Sequence, residues 1–437
     1  MIGYHLLQLK RTGQEAALEM LMPWEFLFLK FVYSYIICVR EEDYAMKTRI
    51  LYLSLIFALI SISLASCRND SSIDSSLFAV EVIDGVRYVH NHKAQRGDRP
   101  GARLELLGII GKLEAEQEKD ILYDPVDAAR LSNGDILILE GRGSTVKRYD
   151  KNHEYISAFG QKGQGPGDFV YPFCLRLNRE RDKLFIAHSR ISRFSPDGNY
   201  EGGFKPEVIS AFGFVGEQYR TSGMAVLSGS RVILPSHPSM WLDSGEHKLL
   251  SVYDKTGTII RSSGAVKLYD DPALTLNANI VNFASDNDDN IYIAYAYQNR
   301  ISKYSPEGTM VFSADRPLPY EVKNVTVVEV FRSGNIEREL PRPSVSSVTK
   351  GVYLDFKNRL WVLTFLKQPN RFLTFDETEN WTDCFEFEVF DSDGILLFNA
   401  AFPNVRFDNF SIYDDRVYLI DSQHESCVYE YKIVEEN

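Results

Sequence analysis

The sequence predicts an all-β fold in which small antiparallel sheets repeat along the chain, and three observations support this prediction. Short apolar runs recur between turn residues, which is typical of strands covered on both faces. An aromatic residue followed by a polar turn recurs downstream of most of these runs. Aromatic residues make up 13% of the chain, and helix-type periodicity is scarce.

The stretch Leu131–Phe169 shows the repeating unit most clearly. A turn at Asn133, which together with the following Gly tolerates positive φ, precedes the apolar run Asp135–Leu139. Thr145–Tyr149 alternates polar with apolar residues, as a strand does, and Tyr155–Phe159 follows as another strand. The unit is therefore predicted to be a series of short antiparallel strands joined by tight turns.

Two signals of this unit recur in a fixed order. The apolar run is found at Asp135–Leu139, Lys183–Ala187, Arg231–Leu234, Asn290–Ala294, Arg359–Leu363 and Arg416–Ile420. The aromatic turn is found at Tyr149–Asn152, Phe194–Gly198, Tyr253–Gly257, Tyr304–Gly308 and Phe390–Gly394. Because one such sheet cannot bury both of its faces, radial stacking is favoured. We predict a six-bladed β-propeller with four-stranded antiparallel blades over residues 104–437.

The motifs of the first unit resemble a known repeat. Gly134–Ile138, Val146–Asp150 and the glycine-rich Phe159–Phe169 look like an NHL-type propeller repeat. The last of them especially resembles the six-bladed, TolB-like β-propeller lipoproteins of Bacteroidota. The resemblance covers roughly Leu104 to Tyr431 and is strongest in the first blade. That family is defined mainly by its fold, so the resemblance implies no catalytic residue.

Two segments precede the predicted ring and its tether. Residues 1–45 do not fit the rest, and we interpret them as an extension upstream of the true start codon. The alternative is a membrane segment at Trp24–Val39, which hardly reaches the roughly 20 apolar residues that a spanning helix needs. Residues 46–66 have the layout of a secretory signal peptide, with basic Lys47 and Arg49 before an apolar stretch.

The end of the apolar stretch predicts a lipid anchor. Leu64–Cys67 resembles a bacterial lipobox, in which the cysteine is lipidated and becomes the new N-terminus. The alternative is a chance cysteine near an ordinary cleavage site. Acyl chains on Cys67 would hold the protein at a lipid bilayer with about 0.8 kcal/mol per buried CH₂ group. We therefore expect a cell-envelope protein, anchored outside the cytoplasm at the outer membrane.

Residues 67–103 are predicted to be a tether and a pre-blade segment. Arg68–Ser76 is polar, whereas Leu77–Val89 alternates well enough to form a strand, and the apolar Leu104–Leu113 follows. The last blade, Asn404–Tyr431, ends without a closing turn. We therefore expect either Leu77–Val89 or Leu104–Leu113 to complete that blade and close the ring.

Composition excludes some classes of partner. The net charge is −12, and an acidic surface repels the nucleic-acid backbone, so we expect no nucleic-acid partner. Cys174, Cys384 and Cys427 are too widely spaced to form a disulfide framework. We expect them to be buried as small hydrophobic residues, with one disulfide pair left open as the alternative.

Two loops have compositions that suggest a ligand. The Gly160–Gly167 loop leads into a strand rather than a helix, which favours a tight inter-blade loop over a phosphate-binding loop. Ser285–Asn290 is rich in oxygen ligands for Ca²⁺ but lacks the spacing of a calcium loop, which favours a polar hairpin turn. The scattered histidines, His188 among them, have no metal-ligand spacing and are expected in solvated loops.

Two insertions are the predicted ligand-binding segments. One is Ser236–His247 in blade three, and the other is Lys367–Asp383 in blade five. Aromatic residues on loops over a rigid scaffold are typical of recognition. The predicted binding residues are Trp241, Arg371, Phe372, Phe375 and Trp381. The alternative is that their aromatic rings fold back onto the propeller as a cap.

Two functions remain open from the sequence. The favoured one is a non-catalytic binding module for an unknown protein, peptide or carbohydrate, without a cofactor. The alternative is a propeller enzyme, a metal-assisted lactonase-like hydrolase or a lyase, with Ca²⁺ or Zn²⁺ at the axis. No Gly-x-Ser-x-Gly or His-Glu-x-x-His motif is present in the sequence, so neither function gains a catalytic residue.

Overall fold

The described residues belong to one compact unit, Asp74–Asn437. The computed structural model describes residues 76–111, 119, 121–206, 223–236, 247–333, 336–370, 375 and 379–436. The predicted upstream extension, signal peptide and lipidated Cys67 lie outside these residues, as do Trp241, Arg371 and Phe372. No helix in the described part of the chain is long and apolar enough to span a membrane.

Strands account for most of the described residues. Three strands precede the first blade: β1 (Phe78–Ile83), β2 (Val86–Asn91) and β3 (Ala102–Ile110). Blade 1 consists of β4 (Pro125–Arg130), β5 (Ile136–Glu140), β6 (Thr145–Tyr149) and β7 (Tyr155–Phe159). Blade 2 consists of β8 (Cys174–Leu177), β9 (Leu184–Ala187), β10 (Ile191–Phe194) and β11 (Tyr200–Phe204). Blade 3 consists of β12 (Ala225–Leu227), β13 (Arg231–Pro235), β14 (Lys248–Tyr253) and β15 (Ile259–Ala265).

The second half of the ring repeats the pattern. After helix α1 (Pro272–Ala278), blade 4 consists of β16 (Val281–Ser285), β17 (Ile291–Tyr295), β18 (Ile301–Tyr304) and β19 (Met310–Asp315). A two-stranded ribbon follows, with β20 (Asn324–Ser333) and β21 (Ile336–Val345). Blade 5 consists of β22 (Thr349–Leu354), β23 (Leu360–Phe365), β24 (Phe385–Phe390) and β25 (Leu396–Ala401). Blade 6 contributes β26 (Asn409–Tyr413), β27 (Arg416–Asp421) and β28 (Cys427–Glu435). Short 3-10 turns occur at Ser228–Ser230 and Trp381–Asp383.

The blades form a closed ring. Within each blade the strands pair antiparallel in chain order. The first strands β4, β8, β12, β16, β22 and β26 contact one another in that cyclic order, and β26 contacts β4. These strands therefore surround a central channel, and the all-β propeller prediction is confirmed.

The N-terminal strand β3 completes the last blade. It pairs antiparallel with β28, from Ala102 opposite Glu435 to Ile110 opposite Val428. This confirms the expected closure, and it identifies Leu104–Leu113 as the closing segment. The hairpin of β1 and β2 instead extends blade 4, because β2 pairs parallel with β19.

The second strands form the buried layer that the sequence predicted. All residues of β5, β9, β17 and β23 are buried. Between blades 1 and 2, for example, Leu137 and Leu139 pack with Leu184 and Ile186 in one apolar cluster. Each sheet thus covers the faces of its two neighbours, which accounts for apolar runs without alternation.

The recurring aromatic turn has a structural cause. The aromatic residue ends the third strand of blades 1–5, it is buried, and the strand register shifts there in every case: Tyr149, Phe194, Tyr253, Tyr304 and Phe390. Such a bulge bends and twists the strand. The following glycine lies against the neighbouring blade, since a Cβ on Gly198 would approach Phe159 to 2.5 Å. The aromatic residue and the glycine after it therefore allow neighbouring blades to pack closely.

The glycine-rich loop is the predicted inter-blade connection. The Phe169 N–H donates to the Gln161 carbonyl over 2.9 Å, and the Gly165 N–H donates to the Asp168 carboxylate over 3.0 Å. The Phe169 ring is fully buried between blades 1 and 2. A Cβ on Gly163 would lie 2.2 Å from an Asp168 carboxylate oxygen. The glycines thus allow the loop to close around Asp168.

The three described cysteines are free and buried, as expected from their spacing. Burial raises the pKa of Cys174 to about 12 and that of Cys427 to about 11. Both thiols therefore stay protonated at neutral pH and behave as small apolar side chains.

Replacing Gly163 with Ala should destabilise the propeller by about 1–3 kcal/mol, because the added methyl group meets the Asp168 carboxylate. Gly143→Ala is the control, since its Cβ would come no closer than 3.3 Å to Glu140. Urea unfolding followed by fluorescence measures both variants. Equal stability of the two variants would contradict this account of the loop.

Candidate functional site

The antiparallel meander gives the propeller two faces. The innermost strands begin at one face, which we call the start face and which contains Cys174 and Thr349. They end at the other, the end face, which contains Leu177 and Leu354. Turns between first and second strands lie at the end face. Connections between second and third strands, and between blades, lie at the start face.

A cavity of about 480 Å³ opens at the end face of the channel. It is lined by the turns that follow the innermost strands of blades 2, 4, 5 and 6, and by the 3-10 turn of blade 3. Its polar walls include Arg176, Arg179, Tyr353 and Asp414. The volume falls within the range of small-molecule sites, which makes this cavity the candidate site.

Arg176, which lines the cavity, belongs to a buried ion pair. An Arg176 Nη1–H donates to the Asp127 carboxylate, which also accepts from the Leu175 N–H over 2.8 Å and the Ala128 N–H over 3.0 Å. Burial raises the pKa of Asp127, although Arg176 and these two N–H groups oppose the shift. Burial works against the charge of Arg176 as well, but Asp127 raises the pKa of the guanidinium well above its usual value. With three donors on the carboxylate, we assign an ionised pair.

Two tyrosines stand beside this pair. The Arg176 guanidinium lies over the Tyr353 ring at 5.3 Å, which joins blade 2 to blade 5 across the channel. The Tyr353 hydroxyl is buried and has no hydrogen-bond partner among the described residues. Burial raises the pKa of Tyr353, and also that of Tyr413, well above the ordinary tyrosine value. Both hydroxyls therefore remain protonated and can donate.

The rim of the cavity is held by a second set of arginines. Arg181 makes a two-pronged contact with the Asp414 carboxylate at 2.7 and 2.8 Å, and Arg130 reaches the same carboxylate at 3.2 Å. The hydrogen bond from Arg181 lowers the pKa of Asp414. Arg179 donates to the Asn287 carbonyl over 2.7 Å. The turn of blade 2 thus reaches blades 4 and 6.

The aspartates of the Ser285–Asn290 loop are engaged within the fold. The Asp286 carboxylate accepts from the backbone N–H groups of Asp288 and Asn290, each over 2.9 Å. The Asp289 carboxylate accepts from the Ser228 N–H and pairs with Arg231 at 2.6 Å. This is the hairpin-turn arrangement. Among the described residues, no group of three or more His, Cys, Asp and Glu is placed to hold a metal ion.

The two described residues of the predicted binding set do not line the cavity. Phe375 packs against Phe385 with ring centroids 5.4 Å apart, and Trp381 stacks on Phe385 at 5.7 Å. Trp381 also meets Phe407 of the neighbouring blade. This packing corresponds to the cap alternative. Both insertions leave the ring at the start face, opposite the cavity.

His188 follows the end of β9 in a loop, as expected, but it is buried, so the expectation that it is solvated is wrong. It is 3% exposed, its Nε2 lies 2.8 Å from the Ser192 hydroxyl, and its ring packs edge-on against Phe169. Burial, together with Arg190, lowers its pKa to about 4. His188 is therefore a neutral core residue at neutral pH.

A buried polar cluster occupies the interior of blade 5 near the start face. Arg316 lies 2.5 Å from the Glu388 carboxylate and donates to the Thr349 hydroxyl over 2.8 Å. Burial, and after it the Glu388 carboxylate, raises the pKa of the adjacent Glu386 to about 7, while Asn399 and Arg316 oppose the shift. Glu386 therefore holds its proton to a higher pH than an ordinary glutamate does.

The cavity residues Arg176 and Tyr353, and Asp127 as the partner of Arg176, were not among the predicted site residues. Two signals in the sequence point to them. An aspartate interrupts the apolar strand Pro125–Arg130, and arginine recurs three times within Arg176–Arg181. Three arginines so close together in a propeller turn indicate ion pairs with residues far away in the sequence. Local periodicity cannot identify those partner residues.

Comparison with known proteins identifies no family for this chain. No protein-family profile matches the chain, and no curated protein matches it. A member of the DUF4221 family from Bacteroides vulgatus is 10% identical, with a TM-score of 0.48 over 78% of this chain and 100% of that one. A protein of Bacteroides fragilis is 11% identical, with a TM-score of 0.47 over 79% and 98%. A virginiamycin B lyase from Staphylococcus aureus is 10% identical, with a TM-score of 0.38 over 82% and 94%.

The raised pKa of Glu386 should make stability depend on pH. Between the ordinary pKa near 4.5 and the folded pKa of about 7, the folded state holds a proton that the unfolded state has released. Raising the pH through this window should therefore lower the free energy of unfolding, by on the order of 1–3 kcal/mol.

The variant Glu386→Gln should remove this part of the pH dependence, because glutamine does not titrate. Urea unfolding of both proteins across the window measures it. Glu105→Gln, at an exposed position, is the control and should leave the dependence unchanged. An unaltered slope in Glu386→Gln would show that Glu386 titrates normally.

Proposed function

We propose that this chain is an exported, Cys67-anchored lipoprotein whose six-bladed propeller binds a ligand in the end-face cavity without catalysing a reaction. The cavity carries the proposal. Its polar groups come from several blades and are held by mutual contacts, such as Asp127 with Arg176 and Arg181 with Asp414. Groups fixed in this way are suited to selective binding, because little side-chain entropy is lost when a ligand enters.

The ion pairing and protonation of the buried groups favour binding over catalysis. The ionisable groups at the base of the cavity are paired or protonated, as in the ionised Asp127–Arg176 pair and the neutral Tyr353 hydroxyl. A general acid or base works best with a pKa near the operating pH. Glu386 meets that condition, but it lies toward the start face, away from the cavity.

The lipoprotein part of the proposal rests on the sequence alone. The basic residues before an apolar stretch and the Leu-Ala-Ser-Cys ending at Cys67 are the supporting observations. A polar tether, Arg68–Ser76, would then separate the bilayer from β1. This arrangement leaves the propeller free to meet a ligand at the membrane surface.

The binding role can be tested by blocking the cavity. Ser285 lines the cavity at the end of β16, and Ser285→Trp should abolish melting shifts caused by small molecules in a thermal-shift screen of the soluble domain. Ser157→Trp is the control, since Ser157 lies exposed on the outer strand of blade 1. Compounds that stabilise wild type and Ser285→Trp equally would contradict the cavity as the site.

The same melts with and without EDTA test the enzyme alternative. We expect unchanged melting temperatures and no stoichiometric metal by elemental analysis. Stoichiometric Ca²⁺ or Zn²⁺ together with a large loss of stability in EDTA would favour the metal-assisted hydrolase or lyase.

The anchor should depend on Cys67. In the native host, wild type should fractionate with membranes and incorporate a labelled fatty acid, because acyl chains bury in the bilayer. Cys67→Ala should lose both properties, while the buried Cys427→Ala should keep them. Membrane association that survives Cys67→Ala would overturn the anchor.

A further inference from the structure

We propose that the ligand of the cavity is a small organic molecule with one carboxylate group. Arg179, Arg176 and the Tyr353 hydroxyl bind this carboxylate. The inference rests on the proposed function of the cavity. The argument uses the charge left unpaired in the cavity, the unpartnered hydroxyl at its base and its size.

The carboxylates that line the cavity are already neutralised by neighbouring cations. Asp289 pairs with Arg231 at 2.6 Å, and Asp355 pairs with Arg359 at 2.6 Å. Asp414 is shared by two arginines on the rim, and Asp286 has Lys303 at 4.0 Å. The acidic groups in the wall therefore repel an incoming anion only weakly.

Arg179 differs from the other cavity arginines. Within the described residues it forms no ion pair, and its one hydrogen bond goes to the neutral Asn287 carbonyl. A guanidinium forms two parallel hydrogen bonds with a carboxylate, which adds strength and orientation. One guanidinium without an ion-pair partner can neutralise a ligand with a single negative charge. The rest of the chain would disfavour anions, because its net charge is −12.

The base of the cavity offers donors that the fold does not use. Tyr353 lines the cavity and is 9% exposed, and its hydroxyl is buried without a partner among the described residues. A buried unpaired hydroxyl costs about 1–3 kcal/mol, so an oxygen acceptor from a ligand would recover that energy. Arg176 lies over the same ring, and its described hydrogen bonds all come from Nη1.

The cavity is larger than an inorganic ion requires. About 480 Å³ accommodates an organic molecule. Phe356 is 55% exposed at the rim and lines the cavity, where it offers an apolar surface. The ligand that fits is therefore a carboxylate with an apolar or ring-containing body.

Two acid and neutral pairs test the inference by isothermal titration calorimetry on the soluble domain. The probes are 3-phenylpropionate against 3-phenylpropionamide, and D-glucuronate against D-glucose. We expect one acid of the two pairs to bind at least about tenfold more tightly than its neutral partner, a difference of about 1.4 kcal/mol. The preference should weaken as salt is added.

Matched variants separate the contributions. Arg179→Gln should abolish the preference for the acid, whereas Arg142→Gln should keep it, because Arg142 is an exposed arginine of the opposite face. Tyr353→Phe should weaken the acid several-fold without lowering the melting temperature, since the lost hydroxyl has no partner in the fold. A tyrosine with a structural role alone would instead lower the melting temperature and leave affinity unchanged.

The outcomes distinguish this inference from the proposed function. Neutral probes that bind as tightly as the acids, and that Ser285→Trp excludes, would overturn the carboxylate but retain the cavity as a binding site. A preference that persists in Arg179→Gln also overturns the inference. If no probe binds, the inference is overturned, and the Ser285→Trp screen then decides the proposed function separately.

Discussion

The propeller depends on hydrogen bonds to the backbone N–H and C=O groups at the inner edges of its innermost strands. Each of these strands is paired on one side only, so its other edge presents N–H and C=O groups to the channel, where an unpaired group is costly. Polar side chains of neighbouring strands fill this role. Asn409 donates to the Val126 carbonyl and Ser411 to the Ala128 carbonyl, each over 2.8 Å, which joins blade 6 to blade 1. Asp127 accepts from the Leu175 N–H and joins blade 1 to blade 2.

The need to hydrogen-bond these inner edges also places polar and charged side chains at the central channel. A charged side chain that serves an inner edge is buried at the channel, where a neighbouring strand must supply a neutralising partner. Asp127 receives Arg176, which in turn lies over Tyr353 of blade 5. The cavity is therefore a by-product of how the ring is held together. Of its binding groups, Arg176 already has a structural partner in Asp127, whereas the Tyr353 hydroxyl has none among the described residues.

Much of this architecture could be predicted because blades are local in sequence. The apolar runs at Leu184 and Ile291 and the aromatic turns at Phe194 and Tyr304 became strands and bulges near the expected residues. Short-range periodicity and turn chemistry are enough for that. The pairing of β2 with β19 and the burial of His188 could not be predicted, because both depend on residues far apart in the chain. The role of the Arg176–Arg181 segment in the cavity could not be predicted for the same reason.

Closure of the ring by β3 has a consequence for folding. Ile110 pairs with Val428, so the first and last strands of the ring meet only when nearly the whole chain is available. Contacts this distant in sequence slow folding, since the entropy of loop closure is lost before they form. Until β28 pairs with it, β3 has a long unpaired backbone edge. A nascent or translocating chain would carry this aggregation-prone edge for the longest time, which makes the C-terminal strand the latch whose loss by proteolysis or premature termination would be least tolerated.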